Sequence, residues 1–450
     1  MKIPMSPPDF QKIMADLIRN PDLLMKVMIE SQTLVHAGYF HWDKIRHLTP
    51  PSDLTTEQWW LSIKLARSAL YKGLPFEDKY RKSFVLATPD LVLKKLHSID
   101  RALGNTVQSP ELIINKAARD TYIIQSLVEE AITSSQLEGA STTRRVAKEM
   151  LRAKRKPMTI SERMIFNNYE GMQFVREIKA EDLTVSIILE LHRIITKNTL
   201  DEADSEGCLR VSNDVHVGDN TNQILHIPPD YKELEGRLEK ICAFANAKEG
   251  DYKFFLHPVI KAIILHFMLA YDHPFEDGNG RTARALFYWS MANQGYWLAE
   301  FISISQIIKK SPTKYGLAYL HTETDANDTT YFVIQQLDVV LKAIDSLHEF
   351  ITEESSKTRE TEALIYTNQF LKGRLNYRQI AVITHALKHP GAQYLIESHR
   401  RSHGITYQTA RTDLLNLVAS GLLIKQKIGK SFTFVAPKNL EARIETGSQF

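Results

Sequence analysis

The chain has 450 residues, of which 43% are hydrophobic and 24% are charged, as in ordinary globular proteins. This composition excludes a wholly disordered or a fibrous protein, and the length suggests about three domains. The two cysteines, Cys208 and Cys242, are too few for a disulfide framework or a four-cysteine zinc site, which favours a reducing cytoplasm.

No segment is typical of a targeting or membrane-spanning sequence. The N-terminus, Met1 to Lys12, carries three prolines and no apolar core, unlike a signal peptide. The most apolar stretch, Val259 to Tyr271, contains Lys261 and His266 and is shorter than the ~20 residues that span a bilayer. We therefore expect a protein that does not associate with membranes.

Helical periodicity dominates the chain and predicts a mainly α fold. Residues 1–110 are expected to form a helical N-terminal region. Up to residue 294, helices are predicted over Phe10–Gln32, Trp59–Leu70, Pro89–Leu103, Arg119–Glu138, Thr159–Lys179, Thr184–Thr199, Lys232–Ala247, Pro258–Asp272 and Arg281–Gln294. A further helix, Thr330–Glu354, is followed by a polar run and is interpreted as a connector between domains.

The pattern changes between Gly207 and Ile227. Valines alternate with polar residues there, Gly218-Asp219-Asn220 is typical of a turn, and Pro228-Pro229 ends the stretch. The sequence therefore predicts a β-hairpin with its turn near Asp219-Asn220. It is the one strand pair predicted in the first three quarters of the chain.

A second change of pattern follows the apolar helix that ends at Asp272. Gly278, Asn279 and Gly280 form a turn at the start of a new helix, where converging backbone N–H groups and the positive end of the helix dipole favour an anion. Arg281 and Arg284 lie three residues apart, hence on one face of the first turns. Both guanidinium groups can therefore reach the same phosphate.

Two further polar side chains flank this turn. Asp277 is a hard oxygen ligand suited to Mg²⁺ bound to phosphates, and His273 is a titratable base at the entrance of the loop. Each feature alone is more often structural: a packed histidine, an ordinary turn, a solvated helix face. Their combination within twelve residues indicates phosphoryl or nucleotidyl transfer, in which positioning and charge stabilisation provide most of the catalysis.

The stretch His273–Arg284 resembles the signature of Fic-domain proteins, His-x-Phe-x-[Asp/Glu]-Gly-Asn-Gly-Arg-x-x-Arg, at every defined position. The resemblance extends over about residues 95–345 and also includes Asn167-Asn168-Tyr169 and His257-Pro258. It implies a Fic-type helical bundle in which the predicted hairpin is a flap that docks a target chain by strand addition. It also implies AMP transfer from ATP to a hydroxyl side chain of a target protein, with self-modification as a further outcome.

The resemblance assigns a role to each residue of the stretch. His273 would deprotonate the hydroxyl, Asp277 would bind Mg²⁺, and Phe275 would pack under the loop. The anion hole for the α- and β-phosphates would be formed by Gly278, Asn279 and Gly280, with Arg281 on the β-phosphate and Arg284 on the γ-phosphate. The related Doc toxins, which are kinases, have Lys in place of Gly280, so phosphorylation is disfavoured. UTP or GTP in place of ATP stays open.

The segment Ser134-Ser-Gln-Leu-Glu138-Gly139 is similar to the inhibitory motif of the same family, [Ser/Thr]-x-x-x-Glu-[Gly/Asn]. A carboxylate at the C-terminal end of a helix is unfavourably placed for the helix dipole. Pairing with Arg284 would hold it there and would occupy the arginine needed for the γ-phosphate. An exposed Glu before a capping Gly is the simpler alternative. Inhibition is expected to act within one chain, and in some relatives the same Glu supports removal of AMP.

The C-terminal part carries the basic excess of the chain. Nine basic and two acidic residues give +7 between Tyr377 and Lys438, against +3 for the whole chain. Helices over Tyr377–Leu387, Ala392–Ser402 and Tyr407–Ser420, then strands Leu422–Gln426 and Ser431–Ala436, predict a winged helix-turn-helix. DNA contacts are expected from Tyr407, Gln408, Arg411 and Lys430. Protein contact or dimerisation is the alternative, so DNA and a second copy of the chain are both candidate partners beside ATP and a target protein.

The predicted organisation is therefore 1–110 helical region, 111–329 Fic domain with an inhibitory helix at 119–139, 330–359 connector helix and 360–450 winged helix-turn-helix. The competing hypothesis is a DNA-binding regulator whose Fic domain only senses nucleotide or is a silent scaffold; intact His273 and Arg284 argue against a silent site. Among the other histidines, His266 is expected in the core and His216 and His226 in solvent, and no pair has zinc spacing.

Overall fold

The computed structural model describes residues 1–33, 38–51, 53–103, 116–153, 155–219, 221, 223–367, 373–428 and 431–446. Helices dominate and the strands form small sheets, which confirms the mainly α fold. The chain folds into two compact units. The first comprises Met1–Asn105, Leu127–Ala147 and Lys156–Ala343, and the second comprises Thr106–Ser126, Lys148–Arg155 and Ile344–Phe450. The finer division into four segments stays a prediction.

The N-terminal part of the first unit contains a strand pair that is absent from the predicted elements. The single helix expected over Phe10–Gln32 is in fact two, because the Pro21 ring is accepted only in the first turn of a helix and starts a new one. The elements are α1 (Phe10–Ile18), α2 (Pro21–Thr33), α3 (Trp42–Ile45), α4 (Thr56–Ser68), β1 (Lys72–Glu77), β2 (Ser83–Leu86) and α5 (Asp90–Leu103). β1 and β2 pair antiparallel and bury alternate side chains, a period-2 signal.

Six of the following helices agree with prediction to within a few residues, whereas those at 144–153, 304–310 and 312–324 are absent from the predicted elements. In chain order the helices are α6 (Lys116–Leu137), α7 (Arg144–Ala153), α8 (Ile160–Glu177), α9 (Val185–Thr196), α10 (Leu234–Asn246), α11 (Pro258–Asp272), α12 (Asn279–Asn293), α13 (Ile304–Lys310) and α14 (Pro312–Thr324). α11 and α12 pack against each other and are buried on nearly every side. Pro258 starts α11 at the predicted residue. The loop between α11 and α12 is therefore held by the core of the first unit.

The predicted hairpin between Gly207 and Ile227 is present but short. β3 (Val217–Gly218) pairs antiparallel with β4 (Ile224–His226), so the strands are shorter than the alternating pattern suggests. Asp219 closes the turn, because its Oδ1 accepts hydrogen bonds from the N–H groups of Thr221 and Gln223 at 2.9 and 3.2 Å. Asn220, the other predicted turn residue, lies outside the described residues.

The predicted connector is longer than the sequence indicates. α15 (Thr330–Thr367) has 38 residues and continues through the polar run after Glu353. Glu, Lys and Arg are good helix formers, so polarity alone does not end a helix. The start is capped by Asp328, whose Oδ1 accepts from the N–H of Thr330 at 3.1 Å. Within the part of the chain that the structure describes, no helix has the length and apolarity to cross a bilayer.

The C-terminal elements follow the order of a winged helix-turn-helix. They are α16 (Tyr377–Lys388), β5 (Gln393–Tyr394), α17 (Ile396–His403), α18 (Tyr407–Ala419), β6 (Ile424–Ile428), β7 (Ser431–Val435) and α19 (Leu440–Thr446). The sheet order is β5-β7-β6, and Ile383, Leu414 and Phe434 lie in the core. The helix predicted from Ala392 begins instead at Ile396, because Gln393 and Tyr394 pair with β7. Lys430 lies outside the described residues.

Candidate functional site

The loop between α11 and α12 is bounded by two left-handed residues. His273 has φ 45° and ψ 57°, and its N–H donates to the carbonyl of Leu269 at 3.0 Å. Gly278 has φ 80°, and a Cβ at that position would lie 2.7 Å from Cγ2 of Thr196. Conformation and space both require glycine there. The two reversals let the chain leave one buried helix and enter the next within six residues.

The imidazole of His273 has an unprotonated nitrogen. Nδ1 lies 3.2 Å from the carbonyl oxygen of Ala270, and a carbonyl only accepts, so Nδ1–H donates to it. In the neutral ring Nε2 is then left as an acceptor. Burial lowers the pKa of His273 to about 4, against the effect of the Ala270 hydrogen bond. The ring is therefore neutral at pH 7 and can accept a proton from a hydroxyl.

Asn279 holds the loop in shape. Its Oδ1 accepts from the N–H of Phe275 at 3.0 Å, and its Nδ2 donates to the carbonyl of Phe275 at 2.8 Å. The hydroxyl and the N–H of Thr282 both donate to the carbonyl of Gly278, at 2.9 and 3.0 Å. The first N–H groups of α12, including that of Gly280, have no partner within the helix. They are the donors that an anion would meet.

The side chain beneath the loop is His192 of α9, a residue that sequence reasoning missed. Its ring stacks on Phe275 with centroids 3.7 Å apart. Nδ1 accepts from the N–H of Gly207 at 3.0 Å, so Nε2–H donates to the carbonyl of Asp277 at 2.9 Å. Burial lowers the pKa of His192 to about 4, which keeps the ring neutral. The available signal, a lone histidine on an apolar helix face, is typical of a core residue.

Arg281 points into the protein and braces Asp277. Its two terminal nitrogens donate to Oδ2 of Asp277 at 3.0 Å and to the carbonyl of Ile195 at 3.3 Å. The side chain is fully buried, burial lowers its pKa, and its Nε–H lacks a hydrogen-bond partner among the described residues. That donor is one that a phosphate oxygen could satisfy.

Asp277 is the residue of the loop that fits a cation. Its carboxylate is 53% exposed, and Oδ2 is the oxygen engaged with Arg281. Across the residues that the structure describes, no group of three or more His, Cys, Asp or Glu could hold a metal ion. The described residues therefore form no cage of protein ligands, and the exposed carboxylate of Asp277 lies beside the anion site. Mg²⁺ is suited to such a site, because it commonly binds through one or two carboxylates, substrate phosphates and retained waters.

The end of α6 occupies the guanidinium group of Arg284. Nε donates to Oγ of Ser134 at 2.9 Å, and one terminal nitrogen donates to the carbonyl of Ser134 at 3.1 Å and to Oε1 of Glu138 at 2.8 Å. Burial opposes the charge of Arg284, but Glu138 outweighs it together with smaller contributions, and the pKa is raised. The pairing expected between Glu138 and Arg284 is thus present.

The carboxylate of Glu138 also covers the start of α12. A Cβ built on Gly280 would lie 2.3 Å from Oε1 of Glu138. Gly139 ends α6 with φ 93°, as its capping position predicts, and the N–H of Ala140 donates back to the carbonyl of Ser135 at 3.0 Å. The helix end therefore holds a negative charge over the N–H groups that favour an anion.

A second carboxylate fixes α6 from within the core. Glu130 is 2% exposed and accepts from the hydroxyls of Tyr288 at 2.9 Å and Ser303 at 2.8 Å. The N–H of Ser305, at 3.1 Å, and its hydroxyl complete the set. Such donors compensate for the burial of the charge. The stretch Glu129-Glu130-Ala131 also resembles the upstream helix of the family, but the sequence does not predict the partners of Glu130, because they lie more than 150 residues away along the chain.

Comparison with known proteins agrees with this geometry. Residues 182–291 match the model of the Fic/DOC family. The chain carries a Fic domain. It is 27% identical over 230 residues to the Protein adenylyltransferase Fic of Drosophila willistoni, covering 49% of this chain and 42% of that protein. Its identity to the Drosophila sechellia protein of the same name is 36% over 116 residues, 26% of this chain and 21% of that one. The chain spans less than half the length of these relatives.

Solved structures of Fic proteins are also similar to this chain. One is a Fic family protein from Desulfovibrio desulfuricans G20, with a TM-score of 0.48 and 16% identity, covering 77% of this chain and 96% of that one. Another is Fic-1 from C. elegans, with a TM-score of 0.45 and 18% identity, covering 76% and 86%.

Three further histidines divide between core and surface. His266 is fully buried beside Tyr315, as predicted, and His216 is exposed, as predicted. The prediction for His226 is wrong. It is 8% exposed, with Nε2 at 2.7 Å from the carbonyl of Tyr271 and Nδ1 at 2.9 Å from Glu323. Hydrogen bonds to those two acceptors replace the ones that the ring would otherwise make to water.

Proposed function

We propose that the protein transfers AMP from ATP to a hydroxyl side chain of a target protein. The observation that carries this proposal is the neutral His273 with an unprotonated Nε2, on the loop that leads into the free N–H groups of α12. The hydroxyl oxygen forms a bond to the α-phosphorus, and the bond from that phosphorus to the bridging oxygen of the β-phosphate breaks. Pyrophosphate leaves, and the hydroxyl proton moves to Nε2 of His273.

The groups that bind the nucleotide are the amides of Gly278, Asn279 and Gly280 and two arginines. The amides would receive the α- and β-phosphates at the helix start. Arg281 would meet the β-phosphate through its unpartnered Nε–H while it braces Asp277. Arg284 would bind the γ-phosphate once released from α6. Asp277 would hold Mg²⁺, which when bound neutralises phosphate charge.

Glu138 restrains this reaction within the same chain. It occupies Arg284 and lies over Gly280, where the phosphates would bind. Two like charges about 4 Å apart repel by about 4 kcal/mol at an effective dielectric constant of 20. A γ-phosphate therefore cannot enter productively unless the carboxylate moves. The same carboxylate would face the phosphate of an AMP-modified target, so hydrolytic removal of AMP is the alternative activity of this site.

Phosphoryl transfer is disfavoured because this chain has Gly280 where the Doc kinases have lysine. The nucleotide base has no recognised partner in the loop, so UTP and GTP remain competitors to be measured against ATP.

The C-terminal module supports a second function, binding of DNA. Tyr407, Gln408 and Arg411 are exposed on the first turns of α18, the helix that enters the major groove in helix-turn-helix proteins. Asp413, an acidic residue of this module, is buried and bonded to Nε of Arg378 at 2.6 Å. It therefore does not oppose the basic surface. A regulator that binds DNA and only senses nucleotide is the rival to an enzyme.

We also propose a cellular location and an oligomeric state for the protein. Cys208 and Cys242 are both free thiols, which suits a reducing compartment such as the cytoplasm. We also propose that the protein modifies itself and forms a homodimer. Sedimentation velocity checks the dimer, and label on the purified chain checks self-modification.

The transfer is tested with ATP labelled at the α-phosphate, Mg²⁺ and four proteins: wild type, Glu138→Gly, Glu138→Gln and Glu138→Gly/His273→Ala. Retained label is expected on Glu138→Gly, little on wild type and none on the double variant. Glu138→Gln keeps the size of the side chain without its charge. It therefore separates electrostatic repulsion of the phosphates from steric occupation of their site by the side chain. Label that is retained from γ-labelled ATP instead would indicate a kinase.

Two further assays test the removal of AMP and the binding of DNA. Release of AMP from a labelled chain by wild type, lost in Glu138→Gly, would identify the reverse activity. DNA binding is measured by fluorescence anisotropy with random-sequence duplexes, wild type against Arg411→Ala. DNA binding that survives His273→Ala, with no label on any variant, would support the regulator and overturn the transferase.

A further inference from the structure

A single buried arginine joins the hairpin segment, residues 207–229, to the loop that carries His273. Arg210 is 3% exposed, and its Nε donates to the carbonyl of His273 at 3.0 Å. One terminal nitrogen donates to the carbonyl of Ser212 at 2.7 Å, and the other donates to the carbonyl of Pro229. Its backbone N–H donates to the carbonyl of Pro274 at 2.9 Å. Arg210 therefore bonds to both ends of the segment and to the loop.

The partners of Arg210 make its geometry more important than its charge. The guanidinium donates to carbonyl oxygens and, at 3.1 Å, to Oδ1 of Asn213. No carboxylate of the described residues forms a salt bridge with it, and burial lowers the pKa of Arg210. A rigid fork with several fixed donor directions suits this arrangement, whereas a lysine offers one compact charge.

The bond to His273 has a specific consequence. A left-handed backbone costs free energy in a residue that has a Cβ, so surrounding contacts must hold the residue in that conformation. The carbonyl of His273, at the end of α11, accepts no hydrogen bond within the helix. Arg210 provides its partner and thereby supports the backbone on which the proposed base depends.

His192 forms an independent connection between the same two segments. Its Nδ1 accepts from the N–H of Gly207, the first residue of the hairpin segment, and its Nε2–H donates to the carbonyl of Asp277. The ring is fully buried, so both bonds are protected from water. The hairpin segment is thus joined to the loop near His273 and again at Asp277.

We infer that Arg210 and His192 are positioning residues that make residues 207–229 and the loop 273–277 move as one body. A chain docked on the hairpin would then present its hydroxyl at a constant place relative to Nε2 of His273. The inference rests on the proposed function for its purpose, but the mechanical connection is measurable without any activity.

Hydrogen exchange of the full chain tests the connection, with Arg210→Lys against wild type. Peptides covering 211–229 and 273–278 should both exchange about 10-fold faster, the effect of losing one buried hydrogen bond. Peptides of α16 to α18 should be unchanged. Arg176→Lys is the matched control. Nε of Arg176 donates to Oε2 of Glu300 at 2.9 Å, and this ion pair does not involve the loop. Faster exchange of the hairpin with an unchanged loop, or a uniform change in all peptides, overturns the inference.

Two variants of His192 separate its bonds. His192→Asn keeps an acceptor at the place of Nδ1 and loses the donor to Asp277, whereas His192→Gln keeps a donor at the place of Nε2 and loses the acceptor for Gly207. Either loss should break the connection at Asp277 while Arg210 keeps the one at His273, so both variants should show faster exchange of the segment and of the loop. Retention of wild-type exchange by both variants would exclude His192 from the connection.

Kinetics in the Glu138→Gly background add a readout that general destabilisation would not give. Arg210→Lys should lower kcat for self-labelling about 10-fold with an unchanged KM for ATP, because the acceptor is misplaced and the phosphate site is intact. An equal rise in KM and fall in kcat would contradict a positioning role. If the Glu138→Gly parent has no activity, the proposed function fails, while hydrogen exchange still decides the connection.

Discussion

Alanine at Gly280 should release the brake without altering Glu138 or Arg284. The backbone of residue 280 lies in the first turn of α12, where alanine is a better helix former than glycine. The added Cβ would lie 2.3 Å from Oε1 of Glu138 and 3.1 Å from its Cδ, and 3.0 Å from a terminal nitrogen of Arg284, so Oε1 is the most crowded atom. That carboxylate is the far end of a flexible side chain with 27% exposure, so it is the group that moves.

The size of the effect follows from the distances. Ordinary contact with a Cβ begins at 3.4 Å, so Oε1 has to retreat by about 1 Å. Its hydrogen bond to Arg284 is 2.8 Å long and would be lost. A hydrogen bond to a charged group contributes about 1.5–3 kcal/mol, and partial exposure of Glu138 favours the lower end. About 1.5 kcal/mol corresponds to roughly 10-fold tighter binding of ATP.

Titration calorimetry with ATP and Mg²⁺ measures this in wild type, Gly280→Ala, Glu138→Gly and the double variant. The tighter binding of ATP caused by Gly280→Ala should appear in the wild-type background. It should vanish in the Glu138→Gly background, since there is no carboxylate left to displace. Gly236→Ala is the control, because a Cβ on that helical glycine meets open space. An equal gain in both backgrounds, or weaker binding in the wild-type background, would refute the reasoning.

Three further results are expected. In the Glu138→Gly background, a pH profile of self-labelling should be flat from pH 6 to 8 and reach half-maximum no higher than about pH 4, because His273 is active when neutral, burial lowers its pKa to about 4, and loss of the Glu138 charge lowers that pKa further; a midpoint near 6.5 would contradict a buried base. Glu130→Gln should lower the free energy of unfolding by about 3 kcal/mol in urea titrations, because an amide cannot accept every donor around that site; an unchanged midpoint would show that the donors readjust. Burial lowers the pKa of His266 from 6.5 to about 3, so between those values the unfolded chain binds more protons and stability falls as the pH falls. Replacing His266 by Leu should reduce the pH dependence by about 1.4 kcal/mol per unit between pH 4 and 6, measured by urea unfolding; an equal slope in both proteins would count against this titration.

Much of the site could be predicted because its signals are local. Pro258, Gly139 and the Gly278-Asn279-Gly280 turn act on their own backbone and on the next three or four residues, so helix ends and the loop follow from nearby sequence. The pairing of Glu138 with Arg284, 146 residues apart, was anticipated through resemblance to a family and not through such signals.

Other predictions failed where burial overrides a weak pattern. The strand pair β1–β2 lies in a region that helical periodicity dominates, and its alternating run is short. His226 looks like a solvent-facing strand residue, yet Tyr271 and Glu323 supply the partners that permit burial. The strand Gln393–Tyr394 forms only because β7 lies beside it.

The sequence by itself determined the mainly α fold, the loop that carries His273, the capped end of α6 and the order of the C-terminal elements. These depend on backbone geometry and on periodicity within a few turns. Only the tertiary structure decided that Arg210, His192 and Glu130 join these parts. Their partners lie up to 175 positions away, and a buried polar group is stable only where packing brings a donor or acceptor to it.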